Sequence, residues 1–323
     1  MIRCGAAACD ITNELGTVIQ GATVGGVARS IRDPLQANAL YLSREATSLL
    51  LVSCDLGGLE PRWTVPAREA MAEACGVPAR SILIGSTHTG GPSIIPSNYR
   101  KAIDERYLGR LIDWLRDLAR EAVESAQSAV MRYGQGTARI GYNRRCCWAD
   151  GTHSMYGDTG RSDFMGLEGP TDPTHTVIGV ETADGTPLAV LYANTAHPST
   201  FYGADFYSAD YPGTARAFLR EVLGDIPVLF FNGAQGDICT EDITAPRTKE
   251  SAESKLARLG HILAGETLRL LHESKPAPAP ILRHAFMDME TEVRLPAPER
   301  LAWAEGILSR VDAACCLLHE LWG

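Results

Sequence analysis

Long apolar runs are missing from this sequence. The longest covers only Ser48 to Cys54, whereas a membrane-spanning helix needs roughly 20 apolar residues. The start of the chain also lacks a complete apolar signal segment, because Asp10 interrupts its stretch of small residues. These two absences predict a cytoplasmic protein with no integral membrane segment.

Paired cysteine motifs and an excess of basic charge are missing as well. Nine cysteines, an odd number, are spread along the chain without a CxxC spacing, so neither a disulfide framework nor a zinc ribbon is indicated. The 30 Lys and Arg residues are outnumbered by 39 Asp and Glu residues, which leaves a net charge of −9. Such a charge disfavours a nucleic-acid backbone as the partner.

What is present is an ordinary globular composition. Hydrophobic residues make up 45% of the 323 residues, enough to bury a core of one large or two ordinary domains. Short apolar runs alternate with helical patterns, which indicates an α/β fold with a mixed β-sheet flanked by helices in a single large catalytic domain. The predicted strands are 37–42, 48–54, 81–85, 176–181, 187–194 and 227–231, and the predicted helices are 66–74, 104–127, 208–223 and 250–272.

The chain divides unevenly. We assign residues 1–274 to the α/β domain and 275–323 to a Pro-rich connection and a C-terminal helical tail. The apolar end of that tail, Leu317 to Trp322, predicts self-association into a homo-oligomer, because such a face needs a partner surface. Residues 142–173 are rich in Gly, Asp, Arg and Thr and are too long for a mere connection, so they predict a functional loop region.

Three predicted strands end in polar, glycine-containing loops, at 86–93, 194–200 and 232–241. Ligands of α/β proteins bind where strands end in loops, so we expect one site here. His88 and His197 offer imidazole nitrogens, which together with a carboxylate would suit a catalytic zinc ion.

The third loop adds two further groups. Asp237 supplies a carboxylate and Cys239 a thiol, and we expect both to face the cavity that holds the two imidazoles. The residues alone leave two readings open: a metal hydrolase, or a metal-independent cysteine hydrolase with Cys239 as nucleophile and His197 as base. Motifs for an α/β-hydrolase elbow or for nucleotide binding are lacking, since NGAQGD is not G-x-S-x-G and GATVGG is neither G-x-G-x-x-G nor a P-loop.

Nine short stretches of the sequence resemble the N-terminal catalytic domain of the neutral/alkaline ceramidase family. They follow the family's order over about residues 3–240. They are GAAACDIT at 5–12, RSIRDPLQANALYL at 29–42, VSCDLGGL at 52–59, STHTGGP at 86–92, GYNRR at 141–145, EGPTDP at 168–173, NTAHPST at 194–200, YSADYPGTAR at 207–216 and FFNGAQGDICT at 230–240.

This resemblance implies a zinc-dependent amidohydrolase that cleaves an N-acyl bond with a metal-activated water. His88 and His197 match two zinc ligands of the family. Arg144 matches the Arg of an N-R motif, and Cys239 falls where the family has a serine. Gly90 stands where the family has a second, substrate-contacting His.

The three loops and the resemblance together give the remaining site residues. We expect Cys239, Arg144 and Asp237 in catalytic roles, and a small-molecule amide or a lipid-like amide as the substrate. The family takes two more zinc ligands, a Glu and a Tyr, from a later segment that this sequence does not match. Either Asp55 or Asp237 is then the local candidate for a third ligand, and a catalytically incomplete binding protein is a further alternative. The expected substrate-binding residues are Gly90, Gly91, Asn143, Gly233 and Gly236.

Overall fold

The computed structural model describes residues 2–19, 27–90, 104–246, 250–277 and 280–309. They form a single α/β domain in which a nine-stranded mixed sheet is flanked by helices, as the sequence predicts. The strands are β1 Ile2–Asp10, β2 Ser30–Ile31, β3 Gln36–Arg44, β4 Thr47–Cys54, β5 Ile82–Ser86, β6 Gln127–Thr137, β7 Tyr142–Asn143, β8 Arg145–Trp148, β9 His153–Met155, β10 Phe164–Leu167, β11 Thr174–Glu181, β12 Pro187–Asn194, β13 Phe206–Tyr207, β14 Val228–Asn232, β15 Ile238–Cys239 and β16 Pro276–Ala277. The helices are α1 Pro61–Cys75, α2 Glu105–Glu124, α3 Asp210–Leu223, α4 Ala252–Glu273 and α5 Pro298–Leu308.

The strand order of the large sheet is β14-β12-β11-β6-β1-β3-β4-β5, with β16 paired to β6. All of its pairs are antiparallel except β4 with β5 and β12 with β14. The β1–β6 pair is short, since only Ile2, Arg3 and Cys4 have partners on β6. The sheet therefore consists of two well-paired halves joined by a brief contact.

The two halves of the sheet face each other. Their inner sides pack into one apolar cluster that includes Leu40 of β3 and Leu229 of β14. The Ser53 hydroxyl of β4 donates a 2.6 Å hydrogen bond to the carbonyl of Phe230 on β14. Helices α1 and α2 cover the outer side of one half, and α3 and α4 cover the other. The result is four layers: helices, sheet, sheet, helices.

Two strands that the sequence patterns miss lie in the middle of the sheet. Strand β1 is built of small residues, and α2 packs so closely on it that a Cβ on Gly5 would lie 2.0 Å from the carbonyl oxygen of Ala122. Strand β6 begins at Gln127, where the predicted helix was expected to end, and Gly134 lies directly under Leu270 of α4. Small residues in both strands allow the helices to pack this closely. The same residues interrupt the alternation of apolar and polar side chains by which a strand is predicted from sequence.

The Gly- and Asp-rich region 142–173 is more regular than its sequence suggests. The region predicted as functional loops contains short strands: β8, β9 and β10 form a three-stranded antiparallel sheet, and β7 pairs with β15. The Pro-rich connection also differs from a free linker, since Pro276 and Ala277 pair with β6. The apolar tail end 317–322 and Gly91 lie outside the described residues.

The helices bear on a membrane span and the cysteines on disulfide bonds. Among the helices that the described residues form, none is both long and apolar enough to cross a membrane. The seven cysteines in the described part of the chain are free thiols.

His175 of β11 is fully buried beneath α4. Its Nε2 lies 2.8 Å from the hydroxyl of Thr267, and its Nδ1 has no hydrogen-bond partner among the residues that the structure describes. Burial lowers the pKa of His175 to about 4, a shift that the nearby Glu266 carboxylate partly offsets. The folded protein therefore resists protonation of this ring.

Replacing His175 by Gln should flatten the dependence of stability on pH. Below its ordinary pKa of about 6.5 the unfolded chain takes up a proton on this ring that the folded chain refuses, so folding is destabilised by about 2 kcal/mol between about pH 7 and pH 5. Urea unfolding of the wild type and of His175→Gln at both pH values measures this difference. The exposed His272, changed to Gln, is the control. Equal losses of stability in wild type and His175→Gln would contradict the assignment.

Candidate active site

Three loops meet at one edge of the molecule, following β5, β12 and β14. The Asn232 side chain donates a 2.6 Å hydrogen bond to the carbonyl of Thr87, and the Gly90 amide donates to the carbonyl of Pro198 at 2.7 Å. The His197 amide donates to the carbonyl of Ile238 at 3.0 Å. Since β5 belongs to one half of the sheet and β12 and β14 to the other, the loops join the two halves.

His88 is held in an uncommon backbone conformation. Its φ angle is 61°, in the left-handed region that non-glycine residues rarely adopt. The His88 amide donates to the carbonyl of Leu56 at 3.0 Å, and its Nδ1 lies 2.5 Å from the carbonyl oxygen of Gly57. A carbonyl only accepts hydrogen bonds, so Nδ1 carries the proton and the lone pair of the neutral ring is on Nε2.

His197 has the same tautomer for the same reason. Its Nδ1 lies 2.7 Å from the carbonyl oxygen of Gln235 and 3.1 Å from that of Ile238. The ring stands edge-on to that of His88, with the two ring centroids 4.9 Å apart. The structure thus brings together the two histidines that were predicted as ligands.

Both imidazoles are held neutral. Burial lowers the pKa of His197 to about 4, with further lowering from the Arg144 guanidinium and from His88. Burial also lowers the pKa of His88, and Arg144 adds to this effect while the Gly57 carbonyl opposes it. At neutral pH both rings therefore offer lone pairs instead of positive charge.

Arg144 lies directly beside this pair. Its guanidinium is 3.2 Å from Nε2 of His197 and donates 2.8 and 2.9 Å hydrogen bonds to the Gly236 carbonyl and the Tyr156 hydroxyl. The guanidinium carbon also lies 5.4 Å from the centre of the Tyr156 ring. These contacts hold a cation between the third loop and the three-stranded sheet.

Asp237 and Asn143 act on the backbone around Arg144. The Asn143 amide group donates a 2.8 Å hydrogen bond to the Asp237 carboxylate, and the Arg144 amide donates to the Asp237 carbonyl at 2.8 Å. Asn143 is also paired with Ile238 across the β7–β15 ladder. These contacts connect Asp237, predicted as catalytic, and Asn143, predicted to bind substrate, to the backbone of Arg144.

Cys239 is buried and its thiol is protonated. The Sγ atom donates to the carbonyl of Glu241 at 3.1 Å. Burial raises the pKa of this thiol, although the Glu241 bond and the nearby Arg144 oppose the shift. These surroundings favour a residue that lines the site over a thiolate nucleophile.

The predicted glycines differ in their surroundings. A Cβ on Gly233 would lie 2.1 Å from the Thr195 hydroxyl, whereas a Cβ on Gly236 would meet no atom within 4 Å. A Cβ on Gly90 would contact Ser199 at 3.3 Å. Close packing thus requires glycine at position 233, while Gly236 contributes its carbonyl to Arg144.

Tyr156 is a site residue that the sequence patterns miss. It follows β9, has a φ angle of 54°, and keeps 52% of its surface exposed while its hydroxyl accepts from Arg144. Its only sequence signal was its place within the long polar region 142–173, which does not single out one residue.

The donor set fits zinc in kind but supplies two ligands, and the donor atom of one of them, Nε2 of His197, lies 3.2 Å from the Arg144 guanidinium, a contact that the ion would replace. Metal-bound histidines use one ring nitrogen and donate the other N–H to a carbonyl or carboxylate, as both rings do here. Asp55 is bonded to Arg216 at 2.7 Å and Asp237 to Asn143, so both local carboxylates have other partners. Within the described ranges, no group of three His, Cys, Asp or Glu residues is placed to hold a metal ion.

The fold is that of a neutral ceramidase-like domain. A crystal structure of neutral ceramidase from Pseudomonas aeruginosa aligns with a TM-score of 0.69 and 16% identity, over 84% of this chain and 45% of that one. A ceramidase complexed with C2 aligns with a TM-score of 0.69 and 17% identity, over 84% of this chain and 44% of the other. This chain therefore spans less than half the length of these ceramidases. No protein-family model and no curated protein matches it.

Replacing Gly233 by Ala should destabilise the protein, because the new methyl group would overlap the buried Thr195 side chain. We expect a loss of about 1–3 kcal/mol in the free energy of unfolding. Gly236→Ala, three residues further along the same loop, is the matched control and should change stability by less than about 0.5 kcal/mol. Urea unfolding of both variants checks this. Similar losses in the two variants would show that the packing around Thr195 is not as described.

Proposed function

We propose that this chain is a hydrolase of the ceramidase type that cleaves an amide (N-acyl) bond with a water molecule activated at a zinc ion. The observation that carries the proposal is the pair of neighbouring imidazoles whose Nδ1 atoms both contact backbone carbonyls. His88 and His197 would hold the ion through their Nε2 atoms. When bound, zinc lowers the pKa of a coordinated water toward about 7 and polarises a carbonyl group.

The protein's own groups prepare this chemistry. The carbonyls of Gly57 and Gln235 fix the tautomers, so that each lone pair lies on Nε2. Arg144 presents guanidinium N–H groups beside His197, where they can donate to the carbonyl oxygen of a substrate amide as negative charge develops there. The same cation suits a substrate with an anionic group.

The fold likeness supports the proposed substrate class. The two structural neighbours are named as ceramidases, which supports a lipid-like amide or another N-acyl compound as substrate. A catalytic zinc site usually has three protein ligands, and the described residues bring together two of the predicted ones. We therefore expect low activity from a site that holds zinc through these two histidines only. A cytoplasmic location remains a prediction from the sequence.

The first test removes one proposed ligand. His197→Ala should abolish zinc binding, because a single remaining imidazole holds the ion too weakly. Equilibrium dialysis followed by elemental analysis measures zinc in the wild type, in His197→Ala and in the control His272→Ala, which alters an exposed histidine. Zinc retained in full by His197→Ala would rule out this ligand, and a wild type that binds none would rule out the zinc site.

A second test separates the roles of Arg144 and Cys239. With an N-acyl substrate, Arg144→Met should lower kcat by about 10²–10³, the usual cost of losing a donor to a developing oxyanion. Cys239→Ala should keep most activity, since the thiol is buried and protonated. Loss of activity in Cys239→Ala together with insensitivity to chelators would instead support the cysteine hydrolase. No turnover by zinc-loaded wild type would support a binding protein.

A further inference from the structure

Helix α3 lies against both histidine-bearing loops. Three of its residues, Asp210, Tyr211 and Arg216, are buried, and each bonds to a segment that leads to one of the imidazoles. None of them belongs to the proposed ligand set.

On the His197 side, α3 holds the loop before and after the histidine. The Tyr211 hydroxyl donates a 2.7 Å hydrogen bond to the carbonyl of Ala196, the residue directly before His197. The Asp210 carboxylate accepts from the amide and hydroxyl of Thr200 at 2.8 and 3.0 Å. Two contacts with the first turn of α3 therefore flank His197, one on each side along the chain.

On the His88 side, α3 acts through a buried ion pair. Arg216 donates to the Asp55 carboxylate at 2.7 Å, and both side chains are less than 10% exposed, at 8% and 1%. Asp55 also accepts from the Gln36 amide at 2.9 Å. The two residues that follow it, Leu56 and Gly57, provide the carbonyls that bind the amide and Nδ1 of His88.

We propose that α3 sets the separation and relative orientation of the two imidazoles, with Tyr211 and Arg216 as positioning residues for the metal site. Arg216 acts through Asp55 on the turn that holds His88, and Tyr211 acts through Ala196 on His197. This inference rests on the proposed function, since the imidazole pair is the proposed zinc site. Both chains of contacts are short. Tyr211 bonds to the residue directly before His197, and Arg216 bonds to Asp55, which directly precedes the two residues whose carbonyls bind His88.

The test compares two buried tyrosines, of which only one has a hydroxyl that makes a hydrogen bond within the described part of the chain. Tyr211 and Tyr192 both pack on Phe230, at ring-centroid distances of 5.9 and 5.1 Å. The Tyr211 hydroxyl binds Ala196, whereas the Tyr192 hydroxyl is buried and has no hydrogen-bond partner in the described part of the chain. Changing each to Phe removes the same atom from the same core.

We expect Tyr211→Phe to weaken zinc binding about tenfold, the usual effect of losing an outer contact of a metal ligand, and Tyr192→Phe to leave it within about twofold. Isothermal titration with zinc measures the affinities, and thermal unfolding shows that both variants are folded. Absorption of the cobalt-substituted proteins reports the ligand geometry, and only Tyr211→Phe should alter it. Wild-type affinity and an unchanged cobalt spectrum in Tyr211→Phe would overturn the inference.

A metal-free measurement separates this inference from the zinc proposal. In protein labelled with ¹⁵N-histidine, Tyr211→Phe should shift the ring signals of His197, assigned with His197→Ala, and Tyr192→Phe should not. If the wild type binds no zinc, the zinc proposal fails, and the ring signals alone then decide whether Tyr211 positions His197. Unshifted His197 signals in Tyr211→Phe would overturn the positioning role.

Asp55→Asn tests the other side of the helix. It keeps a side chain of the same shape with an acceptor oxygen but removes the charge that pairs with Arg216. We expect weaker zinc binding and shifted His88 ring signals. A folded Asp55→Asn protein with wild-type affinity and an unshifted His88 would remove Arg216 from the proposal. If this variant does not fold, Arg216→Lys is measured instead: it keeps the charge but loses the planar guanidinium that bonds Asp55, and wild-type affinity with unshifted His88 signals would again remove Arg216 from the proposal.

Discussion

The candidate site depends on one constraint: the two halves of the large sheet pack face to face. His88 follows β5 in one half of the sheet and His197 follows β12 in the other, so their rings meet only because the halves face each other. The direct pairing between the halves covers just three residues of β1. Side-chain packing between the inner faces and the Ser53 bond to Phe230 therefore support the relative position of the two histidines, together with the loop contacts and the α3 contacts described above.

Close packing of backbone against side chains makes this arrangement possible. A Cβ on Gly85 of β5 would lie 2.6 Å from the Phe231 ring of β14, so glycine lets the two halves approach near the site. Gly5 and Gly134 have the same function under α2 and α4. Glycine in a strand costs conformational entropy on folding, and here that cost is offset by the burial of aromatic and aliphatic surface in adjacent layers.

The sequence predicts the parts of this structure that rest on local patterns. Helix α2 has an apolar face with 3- and 4-residue spacing, and β4, β5, β12 and β14 are apolar runs that end in polar loops, so these elements and the histidine loops are predicted from sequence. Strand β1 is missed because Gly5 and its alanines suit close layering and carry no strand signal. Tyr156 is missed because its role depends on the three-stranded sheet that carries it toward Arg144, a long-range contact that no local pattern encodes. The contacts of α3 with Asp55 and Ala196 are non-local in the same way.

Burial and one neighbouring cation give the histidine pair its chemical character. A histidine near its ordinary pKa would carry partial positive charge at neutral pH and would repel a metal ion or a second imidazolium. In this site burial is the largest cause that lowers the pKa of both rings. The Arg144 guanidinium, 3.2 Å from Nε2 of His197, lowers both pKa values further. The cation therefore keeps both rings neutral, but it also contacts the Nε2 lone pair of His197, so a ligand of that nitrogen has to replace this contact. In the described part of the protein the Arg144 guanidinium is bonded only to neutral groups: the Gly236 carbonyl, the Tyr156 hydroxyl and the His197 ring. A ligand that places an electron-rich oxygen between Arg144 and the rings would accept a hydrogen bond from this cation. An amide carbonyl is such a ligand, which supports the proposed cleavage of an amide bond.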